Sequence, residues 1–335
     1  MPVRRLFSTT GFIGLTLLLT ALAPLLLPIA ALVSLTARLR GALSTLLFLL
    51  GYLWCETIGI VLAVVIWLRY RNGAAFPRAN YRLQCWWANA LKVIAEKVYR
   101  LRFEIQGEDA LPGPGAIMLP RHASIADTII PMVYYAIPQQ IRLRYVLKRE
   151  LLVDPCLDIV GNRLPNYFVD RGGQDSERAR RGVAALLTDL APDEGVLIYP
   201  EGTRHSAAKH AALRRRYWES ADMQAQLDRW PDLLPPRLGG TLALLAANPG
   251  RDLLFCAHSG FEGSSHFSNL VNGSWLRANI RIAFWRVPYA QLPHDPDGMR
   301  AFLFAQWDRM QATVEALRQG RPVSPPGRPE TRPGP

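Results

Sequence analysis

Cysteine is scarce in this chain and never paired along it. Cys55, Cys85, Cys156 and Cys256 stand singly, with no C-x-x-C and no histidine at metal-ligand spacing. That excludes a disulfide scaffold and a zinc ribbon, and reads as small buried residues in a reducing compartment. The six histidines, at 122, 205, 210, 258, 266 and 294, form no H-E-x-x-H pair, so no metal is expected. A G-x-S-x-G elbow is missing, and with it the usual hydrolase nucleophile. There is no internal repeat and no nucleotide-binding signature.

Acidic residues are scarcest at the start, where Glu56 is the one acid among the first 80 positions. In their place stand two apolar runs, Gly11 to Thr36 and Leu43 to Leu68, each longer than the roughly 20 residues that cross a hydrocarbon core. Two membrane segments are expected, and a signal peptide is disfavoured because the first run is too long and a second follows directly. Arg4 and Arg5 precede the first run and Arg69, Arg71 and Arg78 follow the second, against Arg38 and Arg40 in the connection. The positive-inside bias puts both ends, and everything from residue 80 onward, on the cytoplasmic side of an inner or cell membrane. Pro24 and Pro28 equally suit a kinked hairpin that enters one leaflet without crossing.

The net charge is +12, of which seven arginines less Glu56 put +6 in the first 80 residues and leave +6 for the rest. This is not a nucleic-acid footprint. A basic face beside a membrane anchor attracts anionic head groups, at about 1 kcal/mol for each Lys or Arg near the surface, and would also attract an acidic carrier protein.

The most informative stretch is Arg121-His-Ala-Ser-Ile-Ala-Asp127, followed much later by Tyr199-Pro-Glu-Gly-Thr-Arg204. Five residues of straight helix would turn the Asp127 side chain roughly 140° away from that of His122, so His122 cannot sit mid-helix. Ser124 with Asp127 three residues on, ahead of Thr128-Ile-Ile-Pro-Met-Val, resembles a capping box opening a helix. His122 then lies just outside, free to fold back on Asp127 as an imidazole and carboxylate pair able to take a hydroxyl proton. A plain cap, with His122 incidental, is the competing reading. The later block supplies an acid, a glycine bend and a guanidinium suited to phosphate.

Beyond the anchor, short apolar runs alternate with helical stretches, the pattern of an α/β layer fold. The expected strands are Leu101 to Gln106, Ala116 to Leu119, Arg144 to Leu147, Tyr167 to Val169, Val196 to Tyr199, Leu253 to Cys256 and Ile280 to Trp285. Helices are expected over Leu83 to Tyr99, Ser176 to Leu190 and Gly298 to Leu317, the last with Phe302, Leu303, Trp307, Met310, Val314 and Leu317 at helical spacing. His122, Lys148, Arg171 and Glu201 each fall just past a strand end, where ligands gather in open α/β sheets. The division is 1–80 anchor, 81–320 catalytic domain and 321–335 a proline-rich disordered tail.

From Leu101 to Pro293 the chain resembles the glycerolipid acyltransferases typified by 1-acylglycerol-3-phosphate acyltransferase. Phe103-Glu-Ile-Gln-Gly107, His122 to Asp127 with Ser124 in place, Lys148 with Glu150-Leu151, Phe168-Val-Asp-Arg171 and Pro200-Glu-Gly-Thr-Arg204 stand in family order. The resemblance implies a central mixed sheet flanked by helices behind the two-segment anchor. It implies His122 as general base, Asp127 as its orienting carboxylate, and direct acyl transfer with no bound cofactor, acyl-CoA or acyl-carrier protein being the co-substrate. It assigns the acceptor phosphate to Arg171 with Glu201, Gly202, Thr203 and Arg204, and more weakly to Lys148. Glu201 cannot attract phosphate itself, so holding Arg204 or Arg171, or accepting from a glycerol hydroxyl, is the sensible role.

Arg121 replaces an asparagine common in the family, Tyr199 replaces a phenylalanine, and a long charged stretch, Ala207 to Asp232, is inserted. Leu234-Pro-Pro-Arg-Leu-Gly-Gly240 resembles a segment of the longer branch, where Arg237 either adds a phosphate contact or is an exposed turn charge. The usual proline-valine segment is replaced near Phe255-Cys-Ala-His258. The expected acceptor is 1-acylglycerol 3-phosphate. The alternatives are another lysophospholipid such as lysophosphatidylglycerol, or a membrane-anchored lipid-binding protein without catalysis.

Overall fold

The computed structural model describes residues 2–170, 176–262, 264 and 267–323. Arg171, assigned above to phosphate, lies outside the described residues, as does most of the C-terminal tail.

The two apolar runs form α1 (Pro2–Val33) and α2 (Ala42–Tyr70), both long and apolar enough to cross a membrane. They pack as an antiparallel hairpin joined across its middle by Thr16 Oγ1 and Thr57 Oγ1, 3.0 Å apart. Leu17, Leu18, Leu25 and Leu32 on α1 and Val61, Val65 and Leu68 on α2 are exposed, an apolar surface of the kind that marks a lipid contact. The other side of α2 packs on α3 (Phe76–Tyr99). Gly51 permits this approach, because a Cβ there would crowd Ile94, and Gly59 lets Cys156 come close to α2, because a Cβ there would lie 2.4 Å from its Sγ. Glu56, unassigned in the sequence, accepts from Trp87 Nε1 at 2.6 Å and from the Cys156 amide at 3.1 Å. Arg4 and Arg5 bond the buried Asp158 at 2.7 and 3.0 Å. At the other end of α1, the Gly41 amide donates to Val271 O and Arg40 Nε to Asn272 O. Both the start of α1 and the α1–α2 connection therefore touch the rest of the protein.

All the expected strands form, with bounds shifted by at most three residues: β1 (Arg102–Gln106), β2 (Ile117–Pro120), β3 (Arg142–Lys148), β4 (Tyr167–Val169), β5 (Glu194–Leu197), β6 (Leu253–Ser259) and β7 (Asn279–Val287). Among the described residues they make one mixed sheet in the order β1-β7-β6-β2-β5-β3-β4. Neighbours are parallel except β6 and β7, so β6, β2, β5, β3 and β4 point the same way. β2 is buried on both faces, the signature of a central parallel strand. Met118 faces a core of Tyr99, Tyr135, Leu254, Ile282 and Trp275. Ile117 and Leu119 face a second core with Phe255, Trp285, Leu303 and Trp307.

The crossovers carry α4 (Pro155–Gly161), α5 (Ser176–Ala184), α6 (Ala207–Arg216), α7 (Ala221–Arg229) and α8 (Leu238–Ala246). The final helix, α9 (Pro296–Arg318), is capped by Asp295, which accepts from the Gly298 amide at 2.7 Å. Leu303, Trp307, Met310, Val314 and Leu317 are fully buried on the sheet, as the helical spacing requires. The inserted stretch forms α6 and α7, fastened by Trp230, which is buried and donates to Asp308 at 2.9 Å. Two helix expectations fail: the one over Ser176 to Leu190 ends at Ala184 and passes into a 3₁₀ turn, Ala185–Leu187, and the one after Asp127 does not form. After Asp127 there is no regular helix but a 3₁₀ turn, Ala126–Thr128, and a π turn, Met132–Ala136. Pro131 has no N–H to give to a continuous ladder.

Candidate active site

Five strands point one way, so their carboxyl ends share an edge, and the sequence blocks meet there. β2 delivers Arg121 and His122, β5 leads into Tyr199 to Arg204, β6 ends at His258 and Ser259, and β3 ends at Lys148. Because β2 lies between β5 and β6, His122 is flanked by residues distant in the chain on both sides.

Asp127 folds back on His122 as its spacing allows, with Oδ2 lying 3.1 Å from His122 Nδ1. The same oxygen accepts the Ala123 amide and, at 2.7 Å, the Ser124 amide. Ser124 Oγ in turn accepts the Ala126 amide at 3.1 Å and lies 3.0 Å from Ser264 Oγ. The capping-box residues thus bind a tight loop rather than a helix end. Nδ1 is the ring nitrogen occupied by the carboxylate, which leaves Nε2 to take a proton. The Tyr199 ring lies against the imidazole with centroids 4.4 Å apart, and its hydroxyl, which the phenylalanine of the family pattern would lack, donates to Asp127 O at 2.9 Å.

Burial lowers the basicity of His122 below the ordinary histidine value, against the pull of Asp127, and the charges of Lys148 and Arg204 push in the same direction as burial. The imidazole is therefore neutral at neutral pH. Burial alone would raise the Asp127 carboxyl, but His258 and His122 hold it well below the usual carboxylate range. The pair is a neutral base beside a fixed anion, ready to stabilise the imidazolium that forms on proton uptake.

Glu201 does not hold Arg204, and its side chain does not open onto the cleft. It is 1% exposed, with Oε1 accepting the His122 amide at 2.6 Å and Oε2 the Leu234 amide at 2.9 Å. It clamps the backbone beneath the imidazole, and burial, opposed by those two amides, raises its carboxyl to about 8. Gly202 turns the chain at φ +64°, and a Cβ there would meet Arg237 Cδ at 2.7 Å, so Arg237 lies across the bend. The Arg237 amide also donates to Pro200 O at 2.8 Å. Thr203 Oγ1 and Arg204 O accept from Lys209 Nζ at 2.9 and 3.0 Å. His122, Asp127, Lys148, Gly202, Arg204 and Arg237 are thus gathered at one edge, with Glu201 beneath them.

Two residues went unassigned in the sequence reading. His258 places Nε2 3.2 Å from Asp127 Oδ1, and Arg121, 1% exposed, donates to His258 O, Glu262 Oε1 and Asp232 O. The rule that picked out His122, Lys148 and Glu201, a polar residue just past a strand end, also describes His258.

An apolar cavity of about 550 Å³ is lined at one end by Tyr199, whose ring lies against the imidazole. It runs from Tyr199 and Ile125, neighbours of the His122 and Asp127 pair, to Phe48 and Tyr52 on α2 and to Trp87 and Leu91 on α3. Such a slot is suited to an extended hydrocarbon chain.

Residues 102–232 match the family model described as Acyltransferase. No curated protein matches the chain at a significant level. Among solved structures, the 1-acyl-sn-glycerophosphate (LPA) acyltransferase PlsC from Thermotoga maritima has a similar fold. The TM-score is 0.56 at 14% identity, with 84% of this chain and 98% of that chain covered. Over residues 102–232 this chain is therefore similar to the Acyltransferase family model, and that stretch supplies five of the strands of the mixed α/β sheet.

Proposed function

We propose that this protein transfers a fatty acyl group from acyl-CoA or acyl-carrier protein to the free hydroxyl of 1-acylglycerol 3-phosphate, forming phosphatidate. The observation that carries the reading is the His122 and Asp127 pair next to Tyr199 and Ile125, which line an apolar slot that reaches the hairpin, with Lys148, Arg204 and Arg237 at the same edge. A lysophospholipid needs this combination: an apolar berth for a chain, cations for the phosphate, and a base for the hydroxyl between them.

His122 Nε2 takes the acceptor's hydroxyl proton as the oxygen attacks the thioester carbonyl. Asp127 stabilises the imidazolium. The C–S bond then breaks, the acyl–oxygen bond remains, and the imidazolium returns its proton to the departing thiolate. No acyl-enzyme is formed. Arg204 and Arg237 bind the acceptor phosphate with Lys148 behind them, and Arg171 joins them in this reading.

The division into an anchor over residues 1–80 and a catalytic domain over 81–320 belongs to the same proposal. A helix pair crossing the roughly 30 Å hydrocarbon core would carry its connection away from a domain on one side. Here Arg4 and Arg5 at the start of α1, and Arg40 and Gly41 in the connection, all touch the catalytic domain. The hairpin lies in one leaflet of a cell membrane and sets the slot where acyl chains partition.

The test is transfer from labelled acyl-CoA and acyl-carrier protein to lysophosphatidate, lysophosphatidylglycerol and related acceptors, in membranes carrying the native protein or His122→Ala. Transfer to lysophosphatidate that falls at least about 10²-fold in the variant, the scale of a lost general base, is the expected result. Transfer to another acceptor alone overturns the substrate, and transfer that survives the substitution overturns the mechanism.

A further inference from the structure

The carboxylate of Asp127 faces a second histidine. His258 Nε2 lies 3.2 Å from Asp127 Oδ1, on the side away from His122, and both side chains are 1% exposed. Neither Oδ1 nor either His258 ring nitrogen makes a hydrogen bond of regular geometry among the described residues, the 3.2 Å approach included. Buried polar atoms are normally partnered, so the two unmatched groups answer one another. The ring is held in place. The His258 carbonyl accepts from Arg121, Arg121 is anchored on Glu262 and Asp232, and the imidazole meets the Phe261 ring edge-on at 6.3 Å. Oδ2 is already committed to His122 and to the Ala123 and Ser124 amides.

We propose that His258 is a positioning residue for the acyl transfer proposed above: its Nε2–H engages Asp127 Oδ1, fixes the rotation of the carboxylate that orients His122, and draws charge away from it. This rests on His122 acting as the base. His258 is too enclosed to meet the substrate, so it acts through Asp127. A carboxylate serving one imidazole concentrates its charge there and makes that imidazole more basic. One shared with a second donor leaves His122 neutral to lower pH and ready to accept a proton. The other charged and titratable groups around the trio are Arg121, Lys148, Tyr199, Glu201, Arg204, Cys256 and Glu262. All are retained in the variants below.

The test is the pair His258→Gln and His258→Asn in the full chain in detergent. The Gln amide nitrogen occupies nearly the place of Nε2 and still donates to Oδ1. The Asn amide stops near the Nδ1 position and cannot reach. His258→Asn is expected to lower kcat about tenfold, a part of the ~10² to 10⁴ that a general base contributes. Its KM for the acceptor should be unchanged and the acid limb of its rate profile moved to higher pH, with His258→Gln recovering most of each effect. In histidine-labelled protein followed by NMR, His122 should titrate at higher pH in the Asn variant than in the Gln variant. Equal losses in both variants make His258 a packing residue and overturn the proposal, as does the absence of any change. If the native protein transfers no acyl group, the functional reading fails separately, and the NMR titration still decides whether His258 tunes His122.

Discussion

Glu201 accepts the backbone N–H of His122 at 2.6 Å through one oxygen while its other oxygen takes the amide of Leu234. The acid of the Tyr199 to Arg204 stretch therefore fixes the peptide from which the imidazole projects. Removing it strands two buried amides, at about 1–3 kcal/mol each. Glu201→Ala is expected to lower the melting midpoint by several degrees and to reduce kcat more than it raises KM, as measured by thermal unfolding and steady-state kinetics.

The same carboxyl gives a pH signature. Burial raises it from 4.5 to about 8, so the folded state binds its proton more tightly than the unfolded chain does. Its contribution to stability is complete below about pH 4.5 and is lost as the pH rises through 8. Melting midpoints of the native protein should decline across that window relative to Glu201→Gln, which cannot titrate. Parallel curves would show that the carboxyl is already ionised at low pH.

His122 titrates in the opposite sense. Burial lowers it beneath 6.5, assisted by Lys148 and Arg204. Activity that needs the neutral imidazole should persist below pH 6.5, and the acid limb should move to higher pH when a cation is removed. Lys148→Met tests this through the pH dependence of kcat/KM. A limb that moves to lower pH would place the titration elsewhere.

A side chain at Gly202 would be strained by its φ of +64°, and the Cβ would also press on Arg237. Gly202→Ala is expected to cost about 1–2 kcal/mol from the left-handed backbone and to raise KM for the phosphate-bearing acceptor several-fold by displacing Arg237. Binding of a non-acylatable lysolipid analogue measures the second effect directly.

The slot should set which acyl chains fit. Ala88 on α3 lines the cavity and is 4% exposed, so Ala88→Phe fills space without adding polarity. The variant is expected to turn over short acyl donors at near-native rate and long ones at least about tenfold more slowly, since a blocked apolar berth costs on the order of 1–3 kcal/mol. An unchanged chain-length profile would place the acyl chain outside this cavity.

The amino-acid sequence by itself determined most of the elements and pointed to both members of the His122 and Asp127 pair. Short runs bounded by turn residues marked the strands described, nearly continuously apolar in β2, which is buried on both faces, and alternating in β3 and β7, where burial is uneven. Helical spacing marked α9 to within two residues at either end, and the five-residue separation of His122 from Asp127 required the fold-back that the loop provides. Lys148 and Glu201 were legible because they follow strands. The local loop was not, since Pro131 prevents the helix that the capping box signals. What only the tertiary structure decided is which strand ends are neighbours. β2 sits between β5 and β6, and that order alone brings Glu201 beneath His122 and His258 against Asp127. Periodicity reports whether a residue faces a core, but strand order depends on how whole layers pack, and no short stretch of chain carries that information.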